Sequence, residues 1–342
     1  MEYAFSPLGS PETKFFFELT PDRILDAVER FGVRCTGRCL TLNSMENRVY
    51  EVEIELPPDV KPKKPSERFR IIKFYRPGRW TKEQILEEHQ FLLDLVEYEI
   101  PVIAPLKDDS GQTLLQVPDL PIYFAVFPKQ GGRNPGELDD MQALQVGRLL
   151  GRMHNVGAAR QAPNRIRITP ENIAFQSLDF LLDSDVLPND IAHQYEDLVE
   201  QIVETTSPWF EGVPYHRIHG DCHFGNLLWS DEGPYWVDFD DMATGPAVQD
   251  VWLLLPGRDD FAYQKLQLLL EGYEQMRSFD RSSIRLIEPL RAMRMIYFTA
   301  WIAKRWEDPA FKKTFVEFGT PKYWRDQLSQ LLEQWELIQG GN

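Results

Sequence analysis

The sequence reads Ile-His-Gly-Asp-Cys-His-Phe-Gly-Asn-Leu-Leu-Trp over residues 218–229, and Tyr-Trp-Val-Asp-Phe-Asp-Asp over residues 235–241. Asp221, Asn226 five positions later and Asp238 at the end of an apolar run supply two carboxylates and an amide. Phosphoryl transfer needs a carboxylate that orients the attacking hydroxyl and accepts its proton, together with oxygen ligands that hold magnesium against the phosphates. The pattern therefore predicts Asp221 as the catalytic base. Asn226 and Asp238 are the predicted magnesium ligands. Asp238 is also predicted, together with Asp221, to be a catalytic residue.

The segment between these residues predicts a β-hairpin. Leu-Leu-Trp after Asn226 forms a short strand, Asp-Glu-Gly at 231–233 forms a turn, and Tyr-Trp-Val forms the returning strand. Such a hairpin would place Asp238 beside Asn226. The turn-rich segment before it would bring Asp221 close to Asn226.

Two other interpretations apply to the same residues. His219, Asp221 and His223 alternate in an H-x-D-x-H pattern that, with a later aspartate, could bind a transition metal. That site would leave Asn226 without a role. The hairpin could also be a plain surface feature, but the negative charge at the end of residues 235–241 requires a cation. We therefore expect magnesium.

A lysine and a glutamate provide the second part of the predicted site. Lys73 lies in the apolar run Phe-Arg-Ile-Ile-Lys-Phe-Tyr at 69–75, which predicts a strand. Glu88 lies on the apolar stripe of the predicted helix at 81–96, so its carboxylate faces inward and requires a partner. A strand lysine paired with a helix glutamate positions phosphates in kinases. We predict that Lys73 and Glu88 form this pair, with Glu87 as the alternative partner.

The loop that would cover the phosphates precedes this strand and reads Leu-Asn-Ser-Met-Glu-Asn-Arg-Val-Tyr at 42–50. It contains no glycine, so the G-x-G-x-x-G loop of protein kinases is absent. The Ser44 hydroxyl and the backbone N–H groups of an Asn-rich turn can still bind phosphate oxygens, although such turns also occur without any ligand. Ser44 is the predicted phosphate contact.

The order of predicted elements indicates an α+β chain with two lobes. A breaker cluster at 131–136 separates a strand-rich part from a part in which helical periodicity dominates. We therefore expect a nucleotide-binding lobe at 1–128 and a catalytic and acceptor-binding lobe at 129–342. The predicted strands are 35–42, 48–56, 68–76, 113–117 and 122–127, and the predicted helices include 21–31, 81–96, 246–255, 263–276, 284–306 and 323–338.

Composition narrows the functional classes. With 342 residues and 43% hydrophobic residues the chain can bury the cores of two lobes. A formal charge of −16 disfavours nucleic acid as a partner. The sequence has no apolar run long enough for a membrane span and no leader pattern in its first 20 residues, so a cytoplasmic protein is expected. Cys35, Cys39 and Cys222 form an odd, sparse set that predicts free thiols, and an oxidation-sensing role for Cys222 stays open.

The motifs resemble the aminoglycoside phosphotransferase and choline kinase branch of protein-kinase-like folds. That branch shows an H-G-D-x-x-x-x-N loop, found here at 219–226, and a metal-binding aspartate followed by a Gly-Pro step and a further aspartate, as in Asp238, 245–246 and Asp250. The sequence is more closely similar to the bacterial serine/threonine protein kinases of this branch. The stretches that carry this similarity are 42–50, 73–80, 84–91, 123–127 and 219–223.

The resemblance implies a two-lobed α+β fold, with a small antiparallel-sheet N-lobe containing one key helix and a larger, mainly helical C-lobe. It implies that ATP and Mg²⁺ are the cofactors and that a protein serine or threonine, including one of the enzyme itself, is the acceptor. A monomer with a role in stress response is also implied. In this family pattern Asp221 is the proton acceptor, Asn226 and Asp238 bind the metal, and Ser44 and Lys73 contact ATP.

Two alternatives stay open. A small-molecule kinase acting on an aminoglycoside, choline or a homoserine-like alcohol would use the same catalytic residues. A non-catalytic pseudokinase scaffold would be indicated by the loss of one of them, and none is lost. The acidic residues around Asp221, Asp240 and Asp241 are expected to attract a basic peptide or a polyamine-like sugar. Only six residues separate Asp238 from Gly245, too few for a phosphorylatable activation loop.

Overall fold

The computed structural model describes Leu8 and residues 14–340. In chain order the strands are β1 (Arg34–Leu42), β2 (Arg48–Glu55), β3 (Phe69–Phe74), β4 (Leu115–Gln116), β5 (Tyr123–Pro128), β6 (Tyr215–Ile218), β7 (Leu227–Ser230), β8 (Gly233–Trp236) and β9 (Ala243–Pro246). The helices are α1 (Pro21–Glu29), α2 (Lys82–Glu97), α3 (Asp140–Ala158), α4 (Gln176–Asp183), α5 (Asn189–Thr206), α6 (Val248–Trp252), α7 (Asp260–Glu274), α8 (Ile287–Lys304), α9 (Pro309–Thr314) and α10 (Pro321–Gly340).

The described residues form two compact units. One contains 14–138 and 223–240, and the other contains Leu8, 139–222 and 241–340. The sequence placed a boundary at 128/129, whereas the first unit also includes the later segment 223–240. The reason is backbone pairing within this unit, because Trp236 donates to Pro101 O at 3.2 Å and Arg133 donates to Trp229 O at 2.9 Å. The assignment of nucleotide binding to 1–128 and of catalysis and acceptor binding to 129–342 stays a prediction.

The first unit is built on a five-stranded antiparallel sheet of order β1-β2-β3-β5-β4. The central strand β3 carries Lys73, which lies opposite Val49 of β2 and Ala125 of β5. One face of the sheet is covered by α1 and buries a core of apolar side chains. The fully buried members of that core include Val28, Val52, Ile72, Phe74, Ile122, Phe124 and Val126.

Helix α2 follows the predicted pattern closely. Thr81 caps its first turn, and the side chains of Thr81 and Gln84 form a reciprocal capping box. The helical period places Ile85, Glu88, Leu92 and Leu95 on one buried stripe. The inward direction of the Glu88 carboxylate is therefore confirmed.

The predicted hairpin also forms. Strands β7 and β8 pair antiparallel, with Leu227 opposite Trp236, and a short 3₁₀ turn follows at Phe239–Asp241. The buried Phe239 ring packs edge-on against Phe91 of α2 with centroids 5.8 Å apart. This contact fixes the end of the hairpin against the helix that carries Glu88.

The second unit is mainly helical, as predicted, with one two-stranded sheet formed by β6 and β9. The helix expected over 246–255 begins at Val248 instead, because Ala243–Pro246 pairs with β6 as a strand. Helices α4, α5 and α9 were not predicted. None of the helices in the described part of the chain has the length and apolar composition needed to cross a bilayer.

Helices α3 and α7 pack very closely through glycine. A Cβ added to Gly147 would overlap the carbonyl oxygen of Leu269, and one added to Gly272 would overlap that of Leu144. The two backbones therefore approach to a distance that excludes any side chain at these positions.

We predict that Gly147→Ala lowers the free energy of unfolding by about 1–3 kcal/mol through overpacking. This loss would appear even though alanine favours a helix over glycine by roughly 0.5–1 kcal/mol. Denaturant unfolding measures the change. Gly131→Ala is the control, since no atom lies within 4 Å of an added Cβ there. Wild-type stability of Gly147→Ala would contradict the close contact.

Candidate active site

Lys73 lies among three carboxylates of the first unit. Its Nζ is 3.0 Å from Asp240 Oδ1, 3.2 Å from Asp238 Oδ1 and 3.6 Å from Glu88 Oε1. The predicted ion pair of Lys73 with Glu88 is thus present in the structure, and its role in positioning phosphates stays a prediction. Asp240, which lies nearest to the ammonium, was not recognised from the sequence as a partner of the lysine.

The electrostatics of this cluster favour a bound cation. Burial alone would lower the pKa of Lys73, but the carboxylates of Asp240, Glu88 and Asp238 raise that pKa well above its usual value. The lysine is therefore charged at neutral pH, and three carboxylates surround its ammonium group. Carboxylate oxygens are the ligands that hard divalent cations prefer.

Two buried aromatic residues, Tyr75 and His89, help to orient the Glu88 carboxylate. The Tyr75 hydroxyl lies 3.4 Å from Glu88 Oε1 and 2.9 Å from His89 Nε2, and His89 Nδ1 lies 2.8 Å from the Thr113 hydroxyl. The ammonium of Lys73 is also 4.8 Å from the centroid of the Tyr75 ring. These contacts restrict the orientation of the Glu88 carboxylate. Tyr75 lies two positions after Lys73 in the predicted strand run, and the sequence analysis assigned it no role.

Asp238 and Asn226 are brought together by the hairpin. The Val237 N–H donates to the Asn226 carbonyl oxygen at 3.0 Å, so Asp238 directly follows this backbone contact. Asp238 has a φ of 60°, a left-handed conformation that few residues other than glycine adopt. Backbone strain of this kind is concentrated at functional sites. The Asp238 side chain is 55% exposed, so a carboxylate oxygen can reach a ligand from solvent.

The transition-metal alternative has no structural support. Within residues 14–340, no group of three or more His, Cys, Asp or Glu side chains is arranged to hold a metal ion by itself. The two histidines of the H-x-D-x-H pattern instead stabilise local turns. His219 Nδ1 accepts from the Asp221 N–H at 3.3 Å, and His223 Nδ1 accepts from the Gly225 N–H at 2.8 Å.

The glycine-free turn that contains Ser44 is held by an arginine. The Ser44 hydroxyl oxygen accepts from the Asn47 N–H at 3.3 Å, and Asn47 Oδ1 accepts from the Arg76 N–H at 3.0 Å. The buried Arg76 side chain donates from Nε to the Glu46 carbonyl oxygen at 2.8 Å and pairs with the Glu46 carboxylate at 2.9 Å. Arg76 therefore orders the turn in the absence of glycine. No sequence signal indicated this role.

In the second unit, a fully buried carboxylate fixes the loop that carries Asp221. Asp250 Oδ2 accepts from the His219 N–H and Asp250 Oδ1 from the Gly220 N–H, each at 2.8 Å. Oδ2 also lies 3.0 Å from Nε2 of the buried His154. Since buried polar groups must be paired, Asp250 holds the two residues before Asp221 in one conformation.

The same loop requires glycine at one position. Gly220 has a φ of 87°, and an added Cβ would overlap the carbonyl oxygen of Asp241. The Gln249 side chain donates to the Gly220 carbonyl oxygen at 2.9 Å. The backbone of Gly220 is thus bonded on both sides by neighbouring side chains of α6.

Asp221 itself contacts a residue that the sequence did not reveal. Arg294 of α8 donates from Nη1 to Asp221 Oδ1 at 2.9 Å. The attraction of a basic acceptor to Asp221, Asp240 and Asp241 stays a prediction, and in the structure Asp221 and Asp240 contact the cationic side chains of Arg294 and Lys73 respectively. An arginine on an exposed helical position has no periodic signature, so this contact is visible only in three dimensions.

The three cysteines are free, as predicted. Cys222 is fully buried, and burial together with the nearby carboxylates of Asp250 and Asp221 raises its pKa well above the usual value. A buried, protonated thiol is a poor nucleophile. The structure thus favours a structural role for Cys222 over oxidation sensing.

The comparison with known proteins identifies the family. The family model of the phosphotransferase enzyme family matches residues 42–287. The chain belongs to this family. Stress response kinase A of Escherichia coli K12 is 43% identical over 95% of both chains. The serine/threonine protein kinase RdoA of Salmonella typhimurium is 40% identical over 94% of both. As a member of the family the chain is an enzyme, a kinase, and the resemblance predicted from its motifs is confirmed.

Solved structures of other kinases share the fold of this chain. Amicoumacin kinase in complex with AMP-PNP, Ca²⁺ and amicoumacin superposes with a TM-score of 0.69 at 17% identity, covering 93% of this chain and 96% of the other. Spectinomycin phosphotransferase in complex with ADP and spectinomycin gives a TM-score of 0.64 at 14% identity, covering 92% and 98%. The predicted kinase-like α+β fold is confirmed.

We predict that Asp250→Asn slows phosphate transfer and lowers the free energy of unfolding by about 1–3 kcal/mol. The amide keeps one acceptor oxygen, so one of the N–H groups of His219 and Gly220 loses its buried acceptor. Transfer rates and denaturant unfolding measure the two effects. Asp326→Asn on the exposed face of α10 is the matched control. Wild-type rate and stability in Asp250→Asn would refute the positioning role.

Proposed function

We propose that this kinase transfers the γ-phosphoryl group of ATP, with magnesium, to serine or threonine hydroxyls of proteins. The use of ATP and magnesium is supported by the buried Lys73 ammonium, which lies among Glu88, Asp238 and Asp240. The protein acceptor is supported by the relatives of 40–43% identity, one of which is named a serine/threonine protein kinase.

Lys73 and Ser44 are the proposed contacts to the phosphates. Lys73 is fixed by Glu88, and the ammonium can bind phosphate oxygens as a point charge. The Ser44 oxygen already accepts from the Asn47 N–H, so its O–H can serve as a donor to a phosphate. The AMP-PNP and ADP in the neighbouring structures support a nucleotide.

Asp238 and Asn226 would hold the magnesium ion. Both offer the hard oxygen ligands that magnesium prefers, and the Asp238 side chain is 55% exposed, so its carboxylate is accessible from solvent. Because magnesium usually takes only one or two protein ligands in such sites, a cluster of many acidic side chains is not required. When bound, the ion neutralises charge on the phosphates.

Asp221 is the proposed base. The acceptor hydroxyl oxygen attacks the γ-phosphorus, the bond from that phosphorus to the ADP oxygen breaks, and the hydroxyl proton passes to the Asp221 carboxylate. Asp250 and Gln249 hold the backbone before Asp221, so the backbone position from which the Asp221 side chain extends is fixed. This positioning lowers the entropy cost of aligning the hydroxyl.

A small-molecule acceptor is the second candidate. The neighbouring structures include kinases named for amicoumacin, spectinomycin and aminopropanol. Their identity of 14–17% supports the fold alone, whereas one relative at 40% identity is named a serine/threonine protein kinase. A pseudokinase scaffold ranks last, because every predicted catalytic residue is present. A monomeric state and a cytoplasmic location stay predictions of the sequence.

We predict that Asp221→Asn and Asp238→Asn fail at different steps. Asp221→Asn should reduce transfer roughly 10²–10⁴-fold while Mg-ATP still binds, because a base accelerates the chemistry without holding the nucleotide. Asp238→Asn should lose magnesium-dependent ATP affinity and keep its stability, because asparagine tolerates the left-handed backbone. Calorimetry with an unreactive ATP analogue, with and without Mg²⁺, separates the two variants.

The acceptor is tested with labelled ATP, comparing a mixed protein substrate, an aminoglycoside and choline at equal ionic strength. The proposal expects phosphoserine or phosphothreonine that disappears in Asp221→Asn. Rapid, saturable labelling of a small alcohol with no labelled protein would refute the protein acceptor. Near-wild-type transfer by Asp221→Asn would refute the base.

A further inference from the structure

The contact between Arg294 and Asp221 places a permanent cation beside the proposed base. The Arg294 side chain is 43% exposed and that of Asp221 is 19% exposed. A guanidinium carries five N–H donors in a planar fork, and the contact with Asp221 uses Nη1. Arg294 therefore presents further donors to whatever approaches Asp221 from solvent. A cationic acceptor would meet like charge at this point, whereas an anionic one would meet a partner.

The residues around Arg294 extend this positive region. Arg291 lies one turn earlier on α8, with its guanidinium 5.1 Å from the centroid of the Trp252 ring. Arg258 pairs with Glu288 at 3.1 Å, and Arg291 lies 3.6 Å from the same carboxylate. One glutamate is thus shared by two arginines. The three arginines 258, 291 and 294 thus contact two carboxylates, Glu288 and Asp221, in a chain with a formal charge of −16, so selection of an anionic group here depends on short-range contacts.

An exposed phenylalanine that stacks on a partly buried tryptophan continues along the same helix. Phe298 lies one turn after Arg294 and is 43% exposed. Its ring stacks on Trp301, with centroids 5.5 Å apart and an interplanar angle of 19°. We define the α8 stripe as Arg291, Arg294, Phe298 and Trp301. It combines the exposed Arg294 guanidinium, which contacts the proposed base, with the exposed apolar ring of Phe298.

We infer that the α8 stripe binds the acceptor segment, with Arg294 binding an acidic side chain that flanks the acceptor serine or threonine. This inference rests on the proposed protein-kinase function. Phe298 packs against an apolar side chain farther along the segment. One helical turn spans about 5.4 Å and an extended peptide rises about 3.3 Å per residue, so the apolar residue lies about two positions beyond the acidic one.

Binding also changes the partner of the arginine. An exposed arginine–carboxylate pair is weak and exchanges readily. An acidic side chain of the acceptor that takes the Arg294 donors replaces Asp221 as their partner. The Asp221 carboxylate then turns to the acceptor hydroxyl, so the contact couples recognition of the acceptor to availability of the base.

The test uses serine peptides that differ only in the flanking residue, which is aspartate, alanine or lysine, assayed with wild type and Arg294→Gln. In wild type we expect kcat/KM to be on the order of tenfold higher for the aspartate peptide than for the alanine peptide, as for one charge-assisted hydrogen bond. Arg294→Gln should bring this ratio close to one, and Arg294→Glu should shift the preference to the lysine peptide.

Arg281→Gln is the matched control, because it removes another surface arginine that pairs with a carboxylate, Glu274, at 2.7 Å. It should retain the wild-type preference. A second series replaces the apolar residue of the aspartate peptide by glycine, and Phe298→Ala should raise KM only for the peptide that keeps the apolar residue.

These assays distinguish failure of the inference about Arg294 from failure of the proposed protein-kinase function. Phosphorylation of the peptides without an acidic preference, or with a preference unchanged in Arg294→Gln, overturns the inference and leaves the protein-kinase function standing. Nucleotide turnover with no phosphorylation of any peptide overturns the protein acceptor, and the inference fails with it.

Discussion

The buried ammonium of Lys73 is the interaction on which the first unit depends. Lys73, Glu88 and Asp240 have side chains that are at most 9% exposed, so each would be costly to bury alone. Removal of the lysine would leave its carboxylates facing one another, and removal of Glu88 would leave a buried cation with one partner fewer. Strand β3, helix α2 and the turn after β8 are therefore held together by charge. The same charges constitute the proposed phosphate and metal site.

A second carboxylate has the corresponding role in the other unit. Asp250 is fully buried, and each of its carboxylate oxygens accepts a hydrogen bond from the backbone before Asp221. It requires Gly220, whose conformation leaves no space for a side chain. The proposed base Asp221 is thus positioned by backbone hydrogen bonds, and its carboxylate contacts Arg294. An exposed contact such as that with Arg294 can then respond to an acceptor without disturbing the loop.

The parts of the site with local signals were predictable from the sequence. The apolar stripe of α2 predicted that Glu88 faces inward, and the hairpin pattern predicted that Asp238 lies beside Asn226. Both features are determined by residues that lie close together in the sequence. Helix α5 also carries an apolar period, at 191, 195, 198 and 202, and was missed. The contacts of Arg76 and Arg294 were not predictable. Arg294 lies 73 residues from Asp221 and occupies an exposed helical position, where any polar residue fits the pattern.

The most direct measurement of the proposed nucleotide site is a double-mutant cycle on Lys73→Met and Glu88→Gln. Calorimetry with an unreactive ATP analogue and Mg²⁺ gives the binding free energy of each variant. If Glu88 acts through Lys73, the double variant loses no more affinity than Lys73→Met, and a cycle pairing Lys73→Met with Glu87→Gln is additive. Additivity of Lys73→Met and Glu88→Gln within about 0.5 kcal/mol would show that the two side chains act independently and would contradict the proposed site.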